Sequence, residues 1–197
     1  MIGFGRFGQV VSQLLLARNL DITIIDSDPD MIRSAGKFGF KIYYGDGARL
    51  DVLRASGAEK VCVIAICVDS QKVATDILKL VKHEFPQAKV LVRTYDRIHA
   101  REVAMAGADF QIRETFESAL AFGQQTLREM DVPEEDIFAI AEDIRQRDRD
   151  RLQLEITTGN VDEARKLMFS NVPTPIPLIE PKRETVALNP EAARVVK

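Results

Sequence analysis

The stretch GFGRFG at residues 3–8 decides the fold of this chain. It is a G-x-G-x-x-G motif, and a helix-compatible run begins inside it. In a dinucleotide-binding unit the first glycine allows a tight turn, the second lets the backbone approach a pyrophosphate, and the third lets helix and strand pack closely. The helix N-terminus then presents unpaired N–H groups and the positive end of its dipole to the phosphates.

An acidic residue follows this motif at the distance that a ribose-binding group needs. The β-branched run of residues 22–25 ends at Asp26, which lies 18 residues after Gly8. A carboxylate at that point accepts hydrogen bonds from a ribose diol and repels a 2′-phosphate, which favours NAD over NADP. Motif, helix, strand and terminal acid therefore predict a dinucleotide or mononucleotide site. The alternative is that the glycines serve packing alone.

Strands and helices alternate through the first 113 residues. We predict strands at 22–26, 41–44, 61–68, 89–94 and 108–112. We predict helices at 29–38, 50–56, 71–84 and 98–106. Such alternation indicates right-handed βαβ units and a parallel sheet. With residues 1–2 counted as a first strand, six strands form an α/β, doubly wound Rossmann-type domain over residues 1–113.

The strand before the glycine motif is unusually short, because only Met1 and Ile2 precede Gly3. A central strand usually has about five or six residues. We expect that the sequence is cut from a longer protein, and a misplaced start codon is the alternative.

The character of the sequence changes after residue 113. Residues 114–154 form a predicted helical extension, with one helix to Met130, a break at 131–133 and a second helix from Pro133 to Leu154. Two long amphipathic helices cannot bury both apolar stripes on a short domain, so we expect a dimer interface here. The charged run 145–151 predicts a solvated face. Residues 155–197 form a proline-containing tail that we expect to be partly disordered.

Composition excludes several function classes. The net charge of −3 leaves no electrostatic footprint for nucleic acid. No apolar run approaches a membrane span, and the N-terminus is no signal peptide. Cys62 and Cys67 lack metal-site spacing and are expected to be buried, reduced thiols. These features predict a cytoplasmic location, no metal site and no nucleic-acid partner.

Several longer motifs resemble one family. They are GFGRFGQ at 3–9, DSDPD at 26–30, KFG at 37–39, YGD at 44–46 and RETFE at 113–117. Over residues 1 to about 150 the chain resembles the cytoplasmic nucleotide-binding domain, of the KTN, RCK or TrkA-N type, of Kef glutathione-regulated potassium efflux systems.

The resemblance implies a gating module and no enzyme activity. Domains of this kind follow a membrane antiporter domain in the same chain, dimerise, lie on the cytoplasmic side of the inner membrane and bind NAD(H) or AMP. Glutathione blocks such systems and its electrophile conjugates open them. The resemblance also implies site residues. The nucleotide would contact Gly3, Gly5, Arg6, Phe7, Gly8, Asp26, Ser27, Asp46 and Gly47, and glutathione would contact Arg113.

Three positions depart from the family pattern. Gly47 stands where members often have alanine, and the other two departures concern glutathione. Gln13 stands where glutathione-binding members have arginine, and Asp148 lies where they tend to have asparagine. A lost cation and an added acid both weaken recognition of a dicarboxylate such as glutathione, so another effector, or none, stays open for this chain. Two other functions stay open. One is an NAD-dependent oxidoreductase, although His83 and His99 are expected at the surface, and the other is a free-standing Trk-type regulatory subunit.

Overall fold

The computed structural model describes residues 1–157, Ile179 and Lys182. The chain divides into two units, Met1–Asp131 and Val132–Lys197. The first unit holds all the strands of the described residues, and residues 134–157 of the second unit form one long helix. The proposed division at residues 113 and 154 stays a prediction.

The first unit contains parallel strands on both sides of the N-terminal segment. The strands are β1 (Thr23–Asp26), β2 (Lys41–Tyr44), β3 (Val63–Ile66), β4 (Lys89–Thr94) and β5 (Phe110–Arg113). Ile2 forms parallel bridges with both Ile25 and Ile66. Its N–H donates to the Ala65 carbonyl (2.8 Å), and its own carbonyl accepts the Cys67 N–H (2.7 Å). Residues 1–3 therefore serve as the central strand, and the sheet order is β2-β1-(residues 1–3)-β3-β4-β5.

Helices connect these strands, which confirms the doubly wound α/β fold. They are α1 (Arg6–Ala17), α2 (Pro29–Gly36), α3 (Leu50–Ala55), α4 (Gln71–Glu84), α5 (Arg97–Met105), α6 (Glu114–Arg128) and, in the second unit, α7 (Glu134–Thr157). Side-chain caps set several of the starts. Asp28, Ser70 and Asp96 accept backbone N–H groups in the first turns of α2, α4 and α5.

The core of the first unit lies on both faces of the sheet. One cluster joins strands β3 and β4 to α4, and Ile66, Leu78 and Val90 are fully buried in it. A second cluster surrounds Phe4, whose ring makes edge contacts with Phe38 (centroids 5.5 Å apart) and Phe40 (6.3 Å). A residue of the glycine motif is thus anchored in an aromatic cluster, which holds the loop against the sheet.

Two strands are shorter or shifted relative to the sequence prediction. Strand β3 covers only the centre of the predicted range 61–68, and β5 begins at Phe110 rather than at Ala108. The Asp109 carboxylate accepts the Val90 N–H (2.8 Å), so that donor is not available to a strand carbonyl and the ladder starts later. Lys82 and Lys89 pair with the same carboxylate, and these bonds hold the pKa of Asp109 well below its usual range.

The two helices after the sheet differ in burial. No residue of α6 is buried, and Phe122 on this helix is 77% exposed. Asp131 lies in the predicted break at 131–133 and has φ of +57°, a backbone conformation that does not continue a right-handed helix. Helix α7 buries a stripe at helical spacing that includes Ile137, Ala141 and Leu152. No helix within the described residues is long and apolar enough to cross a membrane.

Candidate functional site

The loops that follow the central strands meet at the carboxyl edge of the sheet. The glycine loop, formed by the motif at residues 3–8, continues from the central strand. Asp26 ends β1, and Asp46 follows β2. The Gly45 N–H donates to the Asp26 carbonyl oxygen (2.9 Å), which ties the ends of β1 and β2 together. Strand order reverses at residues 1–3, and the crevice at such a switch point is the general ligand-binding position of doubly wound sheets.

The three motif glycines occupy different environments. Gly3 has φ of +91°, a region that favours glycine, and a Cβ there would lie 3.0 Å from backbone atoms of Cys67 and Val68. A Cβ on Gly8 would lie 2.4 Å from the Gly3 carbonyl oxygen. Gly5 has an ordinary φ of −65°, and a Cβ there would meet no heavy atom within 4 Å. Packing therefore explains two of the glycines, whereas Gly5 faces open space.

Helix α1 begins at this open space without a side-chain cap. Gly5 is its N-cap residue, and no acidic residue lies in the first turn. Arg6 is exposed and Phe7 is half-buried. An uncapped start leaves N–H groups and the positive end of the helix dipole available to an anion. The chemistry of this loop therefore fits a phosphate group.

The Asp26 side chain holds two backbone segments of the site together. One carboxylate oxygen accepts the Phe4 N–H (2.7 Å), and the other accepts the Asp28 N–H (2.9 Å). Each carboxylate oxygen has a further lone pair, so Asp26 retains the capacity to accept hydroxyl donors. Ser27, the next residue, is exposed. The acid predicted for ribose binding thus also organises the glycine loop.

Asp46 and Gly47 lie at the end of β2. The Asp46 carboxylate accepts the Ala48 N–H (2.9 Å) and remains exposed. Gly47 is buried, and a Cβ there would lie 2.3 Å from Cγ2 of Ile2. The central strand therefore requires glycine at position 47. Asp46 is left at the surface, on the same sheet edge as Asp26.

The residues discussed for an effector lie in different parts of the chain. Arg113 is the last residue of β5, and its guanidinium lies over the Phe116 ring, 4.5 Å from the centroid. Gln13 is exposed on α1. Asp148 is buried on α7, between the half-buried Arg145 and Arg151. The prediction of a fully solvated face over residues 145–151 is therefore wrong at Asp148.

A charged cluster that the sequence analysis did not single out lies beside the glycine loop. The Arg93 guanidinium, on β4, pairs with Asp69 after β3 and with Glu114 at the start of α6. It also lies 5.3 Å from the centroid of the Phe7 ring. Asp69 directly follows the predicted strand 61–68, Arg93 lies one residue before the end of the predicted strand 89–94, and Glu114 lies two residues after the predicted strand 108–112. Their shared position near strand ends is the sequence signal that points to them.

The burial of histidine and cysteine side chains in the first unit agrees only in part with the sequence predictions. His99 is 2% exposed, so the expectation of a surface histidine is wrong for this residue. Its Nδ1 accepts the Tyr95 N–H (3.3 Å), and its Nε2 lies 3.3 Å from Thr75 Oγ1. Both cysteines are free thiols, but only Cys67 is buried, and burial raises its pKa to about 11. Cys62 is exposed.

The strand order, the glycine loop and the acid at the end of β1 define a Rossmann-type domain. The TrkA-N domain family matches residues 1–114. The chain belongs to the TrkA-N domain family. A glutathione-regulated potassium-efflux system protein of Haemophilus influenzae is 41% identical over all 197 residues, and the chain spans 31% of that relative's length.

Solved structures show the same similarity. The AMP-bound Kef C-terminal domain of Shewanella denitrificans has a TM-score of 0.74 and 32% identity, with 80% of this chain and 96% of that domain covered. The GsuK channel bound to NAD has a TM-score of 0.54 and 18% identity over 63% of this chain and 22% of the channel, which is a similarity of fold alone. The chain is thus similar to a Kef C-terminal domain in both sequence and fold.

Proposed function

We propose that this chain is the regulatory domain of a Kef-type potassium efflux system. It binds AMP or NAD(H) at the glycine loop and, as a dimer on the cytoplasmic side of the inner membrane, gates a K⁺/H⁺ antiport domain of the same parent chain. The observation that carries the proposal is the open space at Gly5, directly before the uncapped start of α1.

The arrangement accounts for each part of an adenosine nucleotide. The phosphate would lie at Gly5 and the first turn of α1, where the N–H groups and the helix dipole favour an anion. The ribose hydroxyls would donate to Asp26, and the adenine would lie toward Asp46 and Gly47 at the end of the neighbouring strand. The related Shewanella domain was solved with AMP bound, which supports AMP as the nucleotide.

Calorimetric titration with AMP and with NADH tests the proposal. Gly5→Val fills the space that the phosphate needs, and it causes no backbone strain because φ of Gly5 suits any residue. We expect the wild-type chain to bind and Gly5→Val to lose binding with an unchanged melting temperature. Gly36→Val is the matched control, because Gly36 also has open space around its Cβ position. Tight binding by Gly5→Val would refute the assignment.

Effector control is a second part of the proposal. Arg113 supplies a cation at the end of β5, and glutathione carries two carboxylates that a guanidinium recognises well. We propose that Arg113 contacts glutathione or another anionic effector. Titration of glutathione into the nucleotide-loaded chain, with Arg113→Gln as the comparison, measures this. Absence of heat with glutathione would contradict the contact between Arg113 and glutathione, and would leave a nucleotide-gated module with another effector or with none.

We further propose that the chain is not an enzyme. A hydride-transfer enzyme needs a proton-transfer residue beside its cofactor. His99 is buried, its Nδ1 accepts the Tyr95 N–H, and its Nε2 lies within hydrogen-bond distance of Thr75 Oγ1. The Haemophilus relative is named as part of a transport system, which supports a regulatory role. Steady NADH absorbance during incubation with the chain is the expected result, and turnover with small carbonyl substrates would contradict it.

A further inference from the structure

Arg93 connects four segments at the carboxyl edge of the sheet. Its Nε donates to Glu114 Oε2 (2.8 Å), and the guanidinium also pairs with Asp69. The Phe7 ring in the first turn of α1 lies 5.3 Å from it. The Arg93 side chain is only 15% exposed, whereas Asp69 is 81% exposed and Glu114 is 46% exposed. The arginine thus forms the inner member of a partly buried cluster.

The geometry requires arginine at this position. A guanidinium presents several N–H donors in one plane, so it can bond two carboxylates while its positive charge lies over an aromatic ring. Lysine carries the same charge, but its ammonium group lacks this planar set of donors. Loss of one carboxylate partner would leave a desolvated charge only partly compensated. The positions of Phe7, Asp69 and Glu114 are therefore linked through one side chain.

This linkage joins the proposed phosphate site to the start of α6. Phe7 lies in the turn whose N–H groups would hold the phosphate, and Glu114 is the first residue of α6, directly after Arg113. We propose that Arg93 is a positioning residue that couples nucleotide occupancy of the glycine loop to the first turns of α6. The inference rests on the proposed nucleotide function.

The coupling follows from the contacts in order. A bound phosphate fixes the first turn of α1, which restricts the Phe7 ring. The restricted ring limits the position of the Arg93 guanidinium over it, and the guanidinium N–H groups then hold Glu114. Helix α6 has no buried residue within the single chain, so the contacts of Arg93 with Glu114 contribute to the order of its first turn. Nucleotide binding therefore stabilises the helix start that carries Arg113.

Hydrogen–deuterium exchange with and without AMP tests the coupling in the 197-residue chain. In the wild-type chain we expect AMP to slow amide exchange over residues 113–120. In Arg93→Lys we expect this slowing to be lost, while the AMP dissociation constant changes by less than about fivefold, the lower end of ordinary coupling between sites. Thermal melting of each variant verifies that the first unit is folded.

Arg54→Lys is the matched control. Arg54 also bridges carboxylates of separate segments, Glu84 (2.8 Å) and Glu59 (3.8 Å), but it lies at the end of α3, where the chain returns to the amino edge of the sheet. We expect this variant to keep the wild-type slowing. The inference alone would be overturned if AMP slowed amide exchange in Arg93→Lys as much as in the wild-type chain. It would also be overturned if the wild-type chain bound AMP without slower exchange at residues 113–120. Absence of AMP binding by the wild-type chain would overturn the proposed function and the inference with it.

Discussion

At Gly8, one methyl group would collide with the backbone of the glycine loop itself. The Cβ of Gly8→Ala would lie 2.4 Å from the Gly3 carbonyl oxygen. This oxygen belongs to the backbone, so it cannot turn away as the end of a flexible side chain can. We expect this substitution to lower the free energy of unfolding by about 1–3 kcal/mol or more, as overpacking does. Urea denaturation measures it. Gly36→Ala, which meets no atom within 4 Å, is the control and should be neutral or stabilising.

Asp26 is expected to serve both stability and binding. Its carboxylate accepts two backbone N–H groups, from Phe4 and Asp28, and hydrogen bonds to a charged group each contribute about 1.5–3 kcal/mol. Asp26→Ala should therefore lower the free energy of unfolding as well as weaken AMP binding. Denaturation and calorimetry on the same variant separate the two effects.

Asp21→Ala is the comparison for Asp26, because Asp21 forms an exposed pair with Lys41. A surface pair of that kind contributes at most about 1 kcal/mol. Equal stability of the Asp26 and Asp21 variants would show that the two backbone hydrogen bonds to Asp26 contribute little.

Helix α5 carries a histidine whose protonation opposes folding. Burial lowers the pKa of His99 below its usual range, and the carboxylates of Asp96 and Glu102 oppose this only in part. The unfolded chain, with a histidine pKa of about 6.5, then binds more protons than the folded chain. Stability from His99 is thus fully present above the unfolded pKa and is lost as pH falls through it toward the folded pKa.

We expect the wild-type chain to lose stability between about pH 7 and pH 5 more steeply than His99→Asn. Asparagine places an acceptor near the position of Nδ1, where the Tyr95 N–H donates, and it does not titrate. Urea denaturation across this pH range gives both slopes. His83→Asn is the control, since His83 is exposed. Parallel slopes for wild-type chain and His99→Asn would contradict the prediction.

For the whole molecule, the proposed dimer depends on α6. Phe116, Leu120 and Leu127 are half-buried, and Phe122 is largely exposed. We expect the wild-type chain to sediment as a dimer at micromolar concentration and Leu127→Glu to sediment as a monomer, because a charge in an apolar interface is costly to desolvate. Gln125→Glu, on the opposite side of this helix, should remain a dimer. A monomeric wild-type chain would remove the basis for gating through α6.

Most of the element order was predictable from local patterns. Each apolar strand and each capped helix is recognisable from a short stretch of neighbouring residues. The sequence therefore predicts the α/β fold and the position of each helix. Residues 1–2 were also correctly counted as a strand, although the bridges from Ile2 to Ile25 and Ile66 are tertiary contacts. The start of β5 was misplaced, because the side chain of Asp109 replaces a strand carbonyl at Val90.

The candidate site also combines features that the sequence predicts with features that only the fold creates. The sequence by itself determined the glycine motif and the acid that follows it, because these are local spacings of residues with special backbone or charge properties. The resemblance to the family was also visible in the sequence, through several longer motifs. Only the tertiary structure decided that Gly5 faces open space, that His99 is buried and that Arg93 meets Phe7 and Glu114. The physical reason is that burial and charge pairing depend on which segments the sheet order brings together, and residues far apart in the chain carry no shared periodicity that reveals this.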